Sequence, residues 1–97
     1  MPRFFIEVPH PSDVTECTRT VEIFLRTGSH FLTRAEWGCM DGEHKAWIVA
    51  EVQSKEEARS IVPPGLRSKA KIVQLNHFTL NEIDAILRHH QLCTAAA

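Results

Sequence analysis

The sequence predicts an α+β fold in which helices cover one face of a four-stranded antiparallel sheet. Its length of 97 residues suits a single domain. Hydrophobic residues make up 43% of the chain and charged residues 24%, which is the composition of a globular protein. Strand-like and helix-like segments alternate in the order β-α-β-β-α-β, and one further helical segment follows.

The first half of the chain begins with a strand and a helix. Aromatic and β-branched residues predict a strand at 4–8, and two nearby prolines end it because proline cannot donate to a sheet ladder. A capping box beginning at Asp13 opens a helix with one apolar face, and Gly28 is a good residue to end it. The predicted helix therefore covers about 13–27.

Two extended stretches then flank a tight-turn signal. The predicted strands are 31–39 and 44–53, separated by a segment that contains Asp41 and Gly42. The Asp-Gly pair is typical of a type I′ hairpin turn, so these strands are expected to be antiparallel neighbours.

The second half of the chain repeats the pattern of helix and strand. A capping box opens a short helix at about 55–62, which a Pro-Pro-Gly run ends. A strand follows at 71–75, and a capping box at Thr79 opens the last helix. The predicted domain covers 1–92, and residues 93–97 are expected to form a frayed tail.

This order of elements is that of the ferredoxin-like sandwich with an additional C-terminal helix. In that fold the strands are ordered 4-1-3-2 and the helices lie on one face. Matching the apolar faces of the first and third strands places Ile6 beside Ile48, with a shift of two residues as the alternative. The hairpin places Glu36 opposite Trp47.

Those registers align three metal donors at one rim of the helix-covered sheet face, namely His10, Cys39 and His44. A thiolate and two imidazoles suit nickel, zinc or copper, and water or a residue of the first helix would complete the coordination. Two alternatives remain at this stage. The row could be a polar rim above a core cysteine, or Cys39 and His44 could form a nucleophile and its base.

The opposite sheet face is predicted to be partly apolar. Phe5, Trp47 and Val49, together with Leu32, should lie on it, and a second copy of the chain would cover them in a homodimer. Carboxylates on both sides of Trp47, from Glu7 and Glu36, could instead act as a general acid and base.

Charge excludes one class of partner and suggests a local anion site. The 11 basic and 12 acidic residues nearly cancel, so we expect no nucleic-acid binding. Residues 55–78 nevertheless carry five basic and two acidic groups. Arg67, Lys69 and Lys71 are therefore candidate anion-binding residues, with an ordinary solvated surface as the alternative.

Cysteine usage and hydropathy indicate a compartment. The 3 cysteines have no CxxC spacing, and the start of the chain has no apolar run typical of a signal peptide. No apolar stretch approaches the roughly 20 residues that span a bilayer. A cytoplasmic protein with no membrane partner is therefore expected.

The stretch HFLTRAEWGCMDGEHKAWIVAEVQSKEEARSIVPP, followed by AKIVQL, resembles small bacterial proteins of the dimeric α/β-barrel superfamily. These proteins share a strand pair, an S-x-E-E-A opening of the second helix and a final strand. The layout is most similar to their short nickel-binding and uncharacterised members. The resemblance implies a dimer with the sheets face to face and a small pocket between sheet and helices in each subunit.

Two functional hypotheses follow. The first is a homodimer that binds a small ligand or a transition metal, with Trp37, Arg67 and Lys69 as ligand-binding residues beside the metal donors. The second is a cofactor-independent isomerase or a monooxygenase with a pocket lined by Trp37, His10 and His44, since related folds place such enzymes there. The sequence contains no hydrolase, nucleotide-binding or zinc-protease motif.

Overall fold

The computed structural model describes the backbone of residues 1–96 and the side chains of residues 1–90. Its elements, in chain order, are β1 (Arg3–Pro9), α1 (Val14–Thr27), α2 (His30–Thr33), β2 (Glu36–Trp37), β3 (Lys45–Glu51), α3 (Lys55–Ile61), β4 (Lys71–Leu75) and α4 (Leu80–Ala96). Short 3-10 turns lie at Cys39–Asp41 and Pro64–Lys69.

The four strands form one antiparallel sheet, as predicted. Their order is β2-β3-β1-β4, which is the predicted order 4-1-3-2 seen from the other edge. The register between β1 and β3 pairs Ile6 with Ile48, and that between β2 and β3 pairs Glu36 with Trp47. Both predicted registers are confirmed. A shift of one residue would be unfavourable, because it would turn the apolar side chains away from the core.

The core lies between the sheet and the helices. Side chains alternate strictly along β1, so that Phe4, Ile6 and Val8 are buried while their neighbours point to the other face. Phe24 of α1 and Ala58 of α3 are fully buried against this face.

The first half of the predicted strand 31–39 is wrong. Ser29 caps a short helix there, with its hydroxyl oxygen accepting a hydrogen bond from the Phe31 backbone N–H at 3.2 Å. Leu32, predicted on the open sheet face, is 1% exposed and belongs to the core. A helical conformation is favoured over a strand here because it turns Leu32 toward the apolar core, whereas the predicted strand would place Leu32 on the opposite face.

The predicted type I′ turn is also wrong. The ladder between β2 and β3 ends where the Gly38 backbone N–H donates to Lys45 at 3.2 Å, and residues Cys39–Asp41 then form a 3-10 turn. Gly42 closes this turn with a φ of 82°, a conformation that favours glycine. The connection is therefore a wider loop than a two-residue turn, and it changes where Cys39 and His44 lie.

The last helix, α4, extends away from the sheet. Thr79 caps it, with its hydroxyl oxygen accepting from the Glu82 backbone N–H at 3.2 Å. The molecule measures 59 × 28 × 22 Å, since α4 continues well beyond the sandwich. The predicted frayed tail, 93–97, lies outside the side chains that the structure describes, although the α4 backbone continues to Ala96.

Among the helices of the described chain, none has the length and apolar character that crossing a bilayer requires.

Candidate metal centre

Two histidines and two cysteines converge at one end of the sheet, and we call them the donor cluster: His10, Cys17, Cys39 and His44. One ligand atom from each residue lies within 4.8 Å of the ligand atoms of all the others. His10 is central, because its Nε2 lies 3.3 Å from the Cys17 Sγ and 3.1 Å from the Cys39 Sγ.

Two of the donors are positioned by the end of β1 and the start of β3. His10 directly follows β1, and its backbone N–H donates to the His44 carbonyl at 3.0 Å. This bond extends the β1–β3 pairing by one step beyond Pro9 and Lys45. The two imidazoles are therefore held on adjacent strand ends, with ring centroids 5.6 Å apart.

The first turn of α1 supplies the third donor. Asp13 caps this helix twice: its carboxylate accepts from the Glu16 backbone N–H at 3.1 Å and its carbonyl accepts from the Cys17 backbone N–H at 2.8 Å. The cap fixes where α1 begins and hence which way the Cys17 side chain points.

The fourth donor, Cys39, depends on the close packing of the loop between β2 and β3. Gly38 lies directly over the Trp47 ring, where a Cβ would come within 2.5 Å of a ring carbon and 2.7 Å of the Glu43 carbonyl oxygen. Only glycine lets the chain approach this closely, and the approach carries Cys39 toward His10.

An aromatic wall shields the donor cluster on the core side. The Trp37 ring meets the His10 ring edge-on, with centroids 5.6 Å apart, and packs in the same way on Phe24 at 4.8 Å. His10 is 9% exposed, whereas both thiols are half-buried. The centre is therefore shielded on one side and open to small ions on the other.

The environment favours neutral side chains. Burial lowers the pKa of His10 from its usual value of 6.5, and repulsion from a charged His44 lowers it further. The Val8 backbone acts in the opposite direction, toward a higher pKa, and is the smallest of the three effects. Burial, followed by the neighbouring Cys17 thiol, raises the pKa of Cys39. An activated thiolate nucleophile at Cys39 is thus disfavoured.

The donor set fits a tetrahedral transition-metal ion. Metal–sulfur bonds of about 2.3 Å and metal–nitrogen bonds of about 2.0 Å place tetrahedral ligand atoms roughly 3.3–3.8 Å apart, close to the separations seen from His10 Nε2. The Nδ1 atoms of His10 and His44 are buried and have no hydrogen-bond partner within the described part of the chain. Such groups are rare in folded proteins, and each calls for an explanation, of which a bound ion is one.

The structure brings together all three predicted metal donors and adds one that the sequence analysis did not name. Cys17 was missed because no motif links it to the others. The sequence did predict that the first helix begins beside His10 and that one of its residues could complete the coordination. Cys17 lies in the first turn of that helix.

Of the three predicted ligand-binding residues, one lies beside the donor cluster and two lie in the connection after α3. Trp37 lies against His10. The guanidinium of Arg67 donates from Nε to the Val62 carbonyl at 2.7 Å and from Nη2 to the Ser60 carbonyl at 2.9 Å, so it closes the connection after α3. Lys69 is exposed at the end of the following 3-10 turn.

Two surface grooves lie away from the donor cluster. One, of about 340 Å³, follows α1 and is lined by Thr18, Val21, Glu22, Leu25 and Arg26. The other, of about 290 Å³, lies on the open sheet face and is lined by Phe5, Arg34, Glu36, Trp47 and Val49. Beside the second groove, the Glu7 carboxylate accepts from Trp47 Nε1 at 3.0 Å and lies 4.0 Å from the Lys45 ammonium.

Comparison of the chain with protein-family models, with curated proteins and with solved structures finds no match.

Proposed function

We propose that this chain is a transition-metal-binding protein and that the donor cluster is its metal site. The observation that carries the proposal is the convergence of four soft or borderline donors, from four separate positions in the chain, within 4.8 Å of one another. Two thiolates and two imidazoles match Zn²⁺ best, because this ion favours four-coordinate tetrahedral sites with these donors. Nickel and copper are the competing ions.

Four protein ligands would fill the tetrahedral shell. Catalytic zinc usually keeps one position for water or substrate, whereas structural zinc is fully coordinated by protein. The proposed role is therefore binding rather than catalysis. The raised pKa of Cys39 supports this choice over an enzyme that uses a cysteine nucleophile.

We also propose that the chain belongs to the ferredoxin-like, dimeric α/β-barrel group and works as a homodimer. The strand order and the two registers support the first part. A partly apolar open sheet face supports the second, since Val49 is 53% exposed beside the rings of Phe5 and Trp47.

The metal site is tested on untagged protein by elemental analysis and by competition with a chromogenic chelator. We expect one Zn²⁺ per chain after reconstitution. Loss of a residue that hydrogen-bonds to a metal ligand typically costs about 10–100-fold in affinity. Cys17→Ser should weaken zinc binding by more than this, because it removes a ligand itself. His10→Ala should behave in the same way.

Two matched controls share the residue type but not the location. Cys93→Ser and His89→Ala alter the C-terminal helix, at the other end of the molecule from the donor cluster, and should leave the zinc affinity unchanged. Equal zinc affinity in Cys17→Ser and Cys93→Ser would refute the proposed site.

A further inference from the structure

Among the described residues, two apolar surfaces have no element of the chain packed across them and differ in shape. One is the open sheet face, formed by Phe5, Trp47, Val49 and Val73. The other is a stripe on α4, formed by Leu80, Ile83, Ile86 and Leu87, whose exposed fractions are 75%, 36%, 55% and 54%. These four positions fall within about 120° of the helix circumference, so they form one continuous strip.

The helix does not cover the sheet of its own chain. It begins after β4 leaves the sheet at the Arg3–Leu75 pair, the end opposite the donor cluster. The connector is held there, with Arg3 Nη1 3.1 Å from His77 Nε2. Among the described residues, no other element makes an extensive contact with α4.

We propose that α4 of one copy packs across the open sheet face of a second copy, and that the second copy returns the same contact. This inference rests on the proposed homodimer and is independent of the metal site. It names the partner's α4 as the occupant of the open sheet face, in place of the sheet-to-sheet contact that the family resemblance implies.

The dimensions of the two surfaces match. A 17-residue helix is about 25 Å long, and four strands spaced about 4.8 Å apart extend over roughly 15–20 Å. The groove of about 290 Å³ beside Trp47 has room for an aliphatic side chain such as Ile86. The helix can therefore cross the whole sheet and place its stripe over the apolar part.

The buried area reaches the minimum expected of a specific dimer. A helix about 25 Å long and 10 Å wide covers roughly 250 Å² of the sheet. Both partners lose surface, and two-fold symmetry repeats the contact, so the dimer buries roughly 1,000 Å², the lower limit for a stable interface.

Charged residues border both surfaces. Arg34 and Glu36 line the groove on the sheet, and Asp84 and Arg88 lie beside the stripe on α4. Both signs occur on both surfaces, which is the arrangement of a polar rim around an apolar interface centre.

The test uses full-length chains with opposite charges placed on the two surfaces, Val49→Glu and Ile86→Lys. Both side chains are more than half exposed in the monomer, so each variant should fold, and circular dichroism checks this. Sedimentation measures the dimer dissociation constant of each variant alone and of their equimolar mixture. Asn81→Lys adds the same charge on the polar side of α4 and serves as the control.

We expect each variant alone to dimerise at least 100-fold more weakly than the parent, while the control dimerises normally. The mixture should recover dimers. In a dimer of the two different variants, one of the two helix–sheet contacts is unaltered. The other contact pairs the introduced lysine of one copy with the introduced glutamate of the other.

The other results contradict the inference in distinguishable ways. If only Val49→Glu weakens the dimer, the sheets pack face to face, and if only Ile86→Lys does, the helices pair with each other. A parent chain that is monomeric at micromolar concentration would overturn the homodimer proposal as well.

Discussion

The chemistry of the donor cluster depends on the position of one histidine. His10 Nε2 lies within 3.3 Å of both thiols, so this ring sets the separations of Cys17 and Cys39 from the imidazole. The Trp37 ring limits movement of the imidazole. A site whose donors are already close loses little conformational entropy when the ion binds.

Zinc affinity should increase with pH, because both cysteines must lose a proton to bind the metal. Burial raises the pKa of Cys39, so its proton still competes at neutral pH. Each displaced proton changes the apparent Kd by up to about tenfold per pH unit, and two thiols by up to about 100-fold. Chelator competition between about pH 7 and 8.5 measures how the zinc Kd changes with pH.

Cys39→Ser is the comparison variant for this prediction. It has one thiol fewer to deprotonate, so its zinc affinity should change with pH by one proton less.

Below pH 6.5 a second effect sets in, which concerns the stability of the fold. The pKa of His10 in the fold is lower than its usual value of 6.5, so the folded state binds this proton less readily than the unfolded chain. The fold is then destabilised as the pH decreases. A zinc affinity that is constant from pH 7 to 8.5 would contradict thiolate ligation.

At the scale of elements, the loop between β2 and β3 decides whether the centre forms. It is short, it is fixed by the bond from the Glu43 backbone N–H to the Gly38 carbonyl at 3.0 Å, and it lies on the Trp47 ring. The loop carries two of the four donors. Its geometry is therefore set by packing against the open sheet face as well as by its own backbone bonds.

Gly38→Ala should weaken zinc binding by about tenfold or more, because the added methyl group would overlap the Trp47 ring and displace Cys39. Chelator competition gives the affinity, and thermal unfolding of the apo protein gives the stability.

Gly65→Ala is the matched control, because a Cβ there has no neighbour within 4 Å. It should leave both quantities unchanged or raise stability slightly by restricting the unfolded chain. Normal zinc affinity in Gly38→Ala would show that the loop adapts without moving its donor.

On the scale of the whole molecule, a metal ion in the donor cluster would join three segments that are distant in sequence: the end of β1, the first turn of α1 and the loop before β3. These segments lie at one end of the sheet, while α4 leaves from the other. The donor cluster and the α4 stripe thus lie apart. The dimer test alters Val49 and Ile86, which belong to neither the donor cluster nor the Trp47 ring on which the loop packs.

Removing the metal should lower the unfolding temperature. An ion that binds only the folded state at 100 to 1,000 times its Kd stabilises the fold by roughly 3–4 kcal/mol, which corresponds to about 10–30 °C for a domain of this size. Scanning calorimetry with and without EDTA measures the change. Cys39→Ser should show almost no response to EDTA, and an equal response in both proteins would assign the effect to another site.

Much of the fold follows from local patterns in the sequence. Alternating apolar residues in β1 and β3 exclude any odd shift from the Ile6–Ile48 register, because it would expose the core side chains. The structure decides between this register and one shifted by two residues. Capping residues such as Asp13 and Thr79 mark where α1 and α4 begin, because their oxygens bond to backbone N–H groups only a few residues away. These signals are short-range and were readable without the structure.

The tertiary structure alone decided the features that depend on distant contacts. Burial of Leu32 turned a predicted strand into a helix, and the close approach of Gly38 to Trp47 replaced a two-residue turn with a wider loop. Cys17 joined the donor cluster for the same reason. Which helix residue meets a strand end depends on how the helix packs on the sheet, and no spacing along the chain specifies that angle.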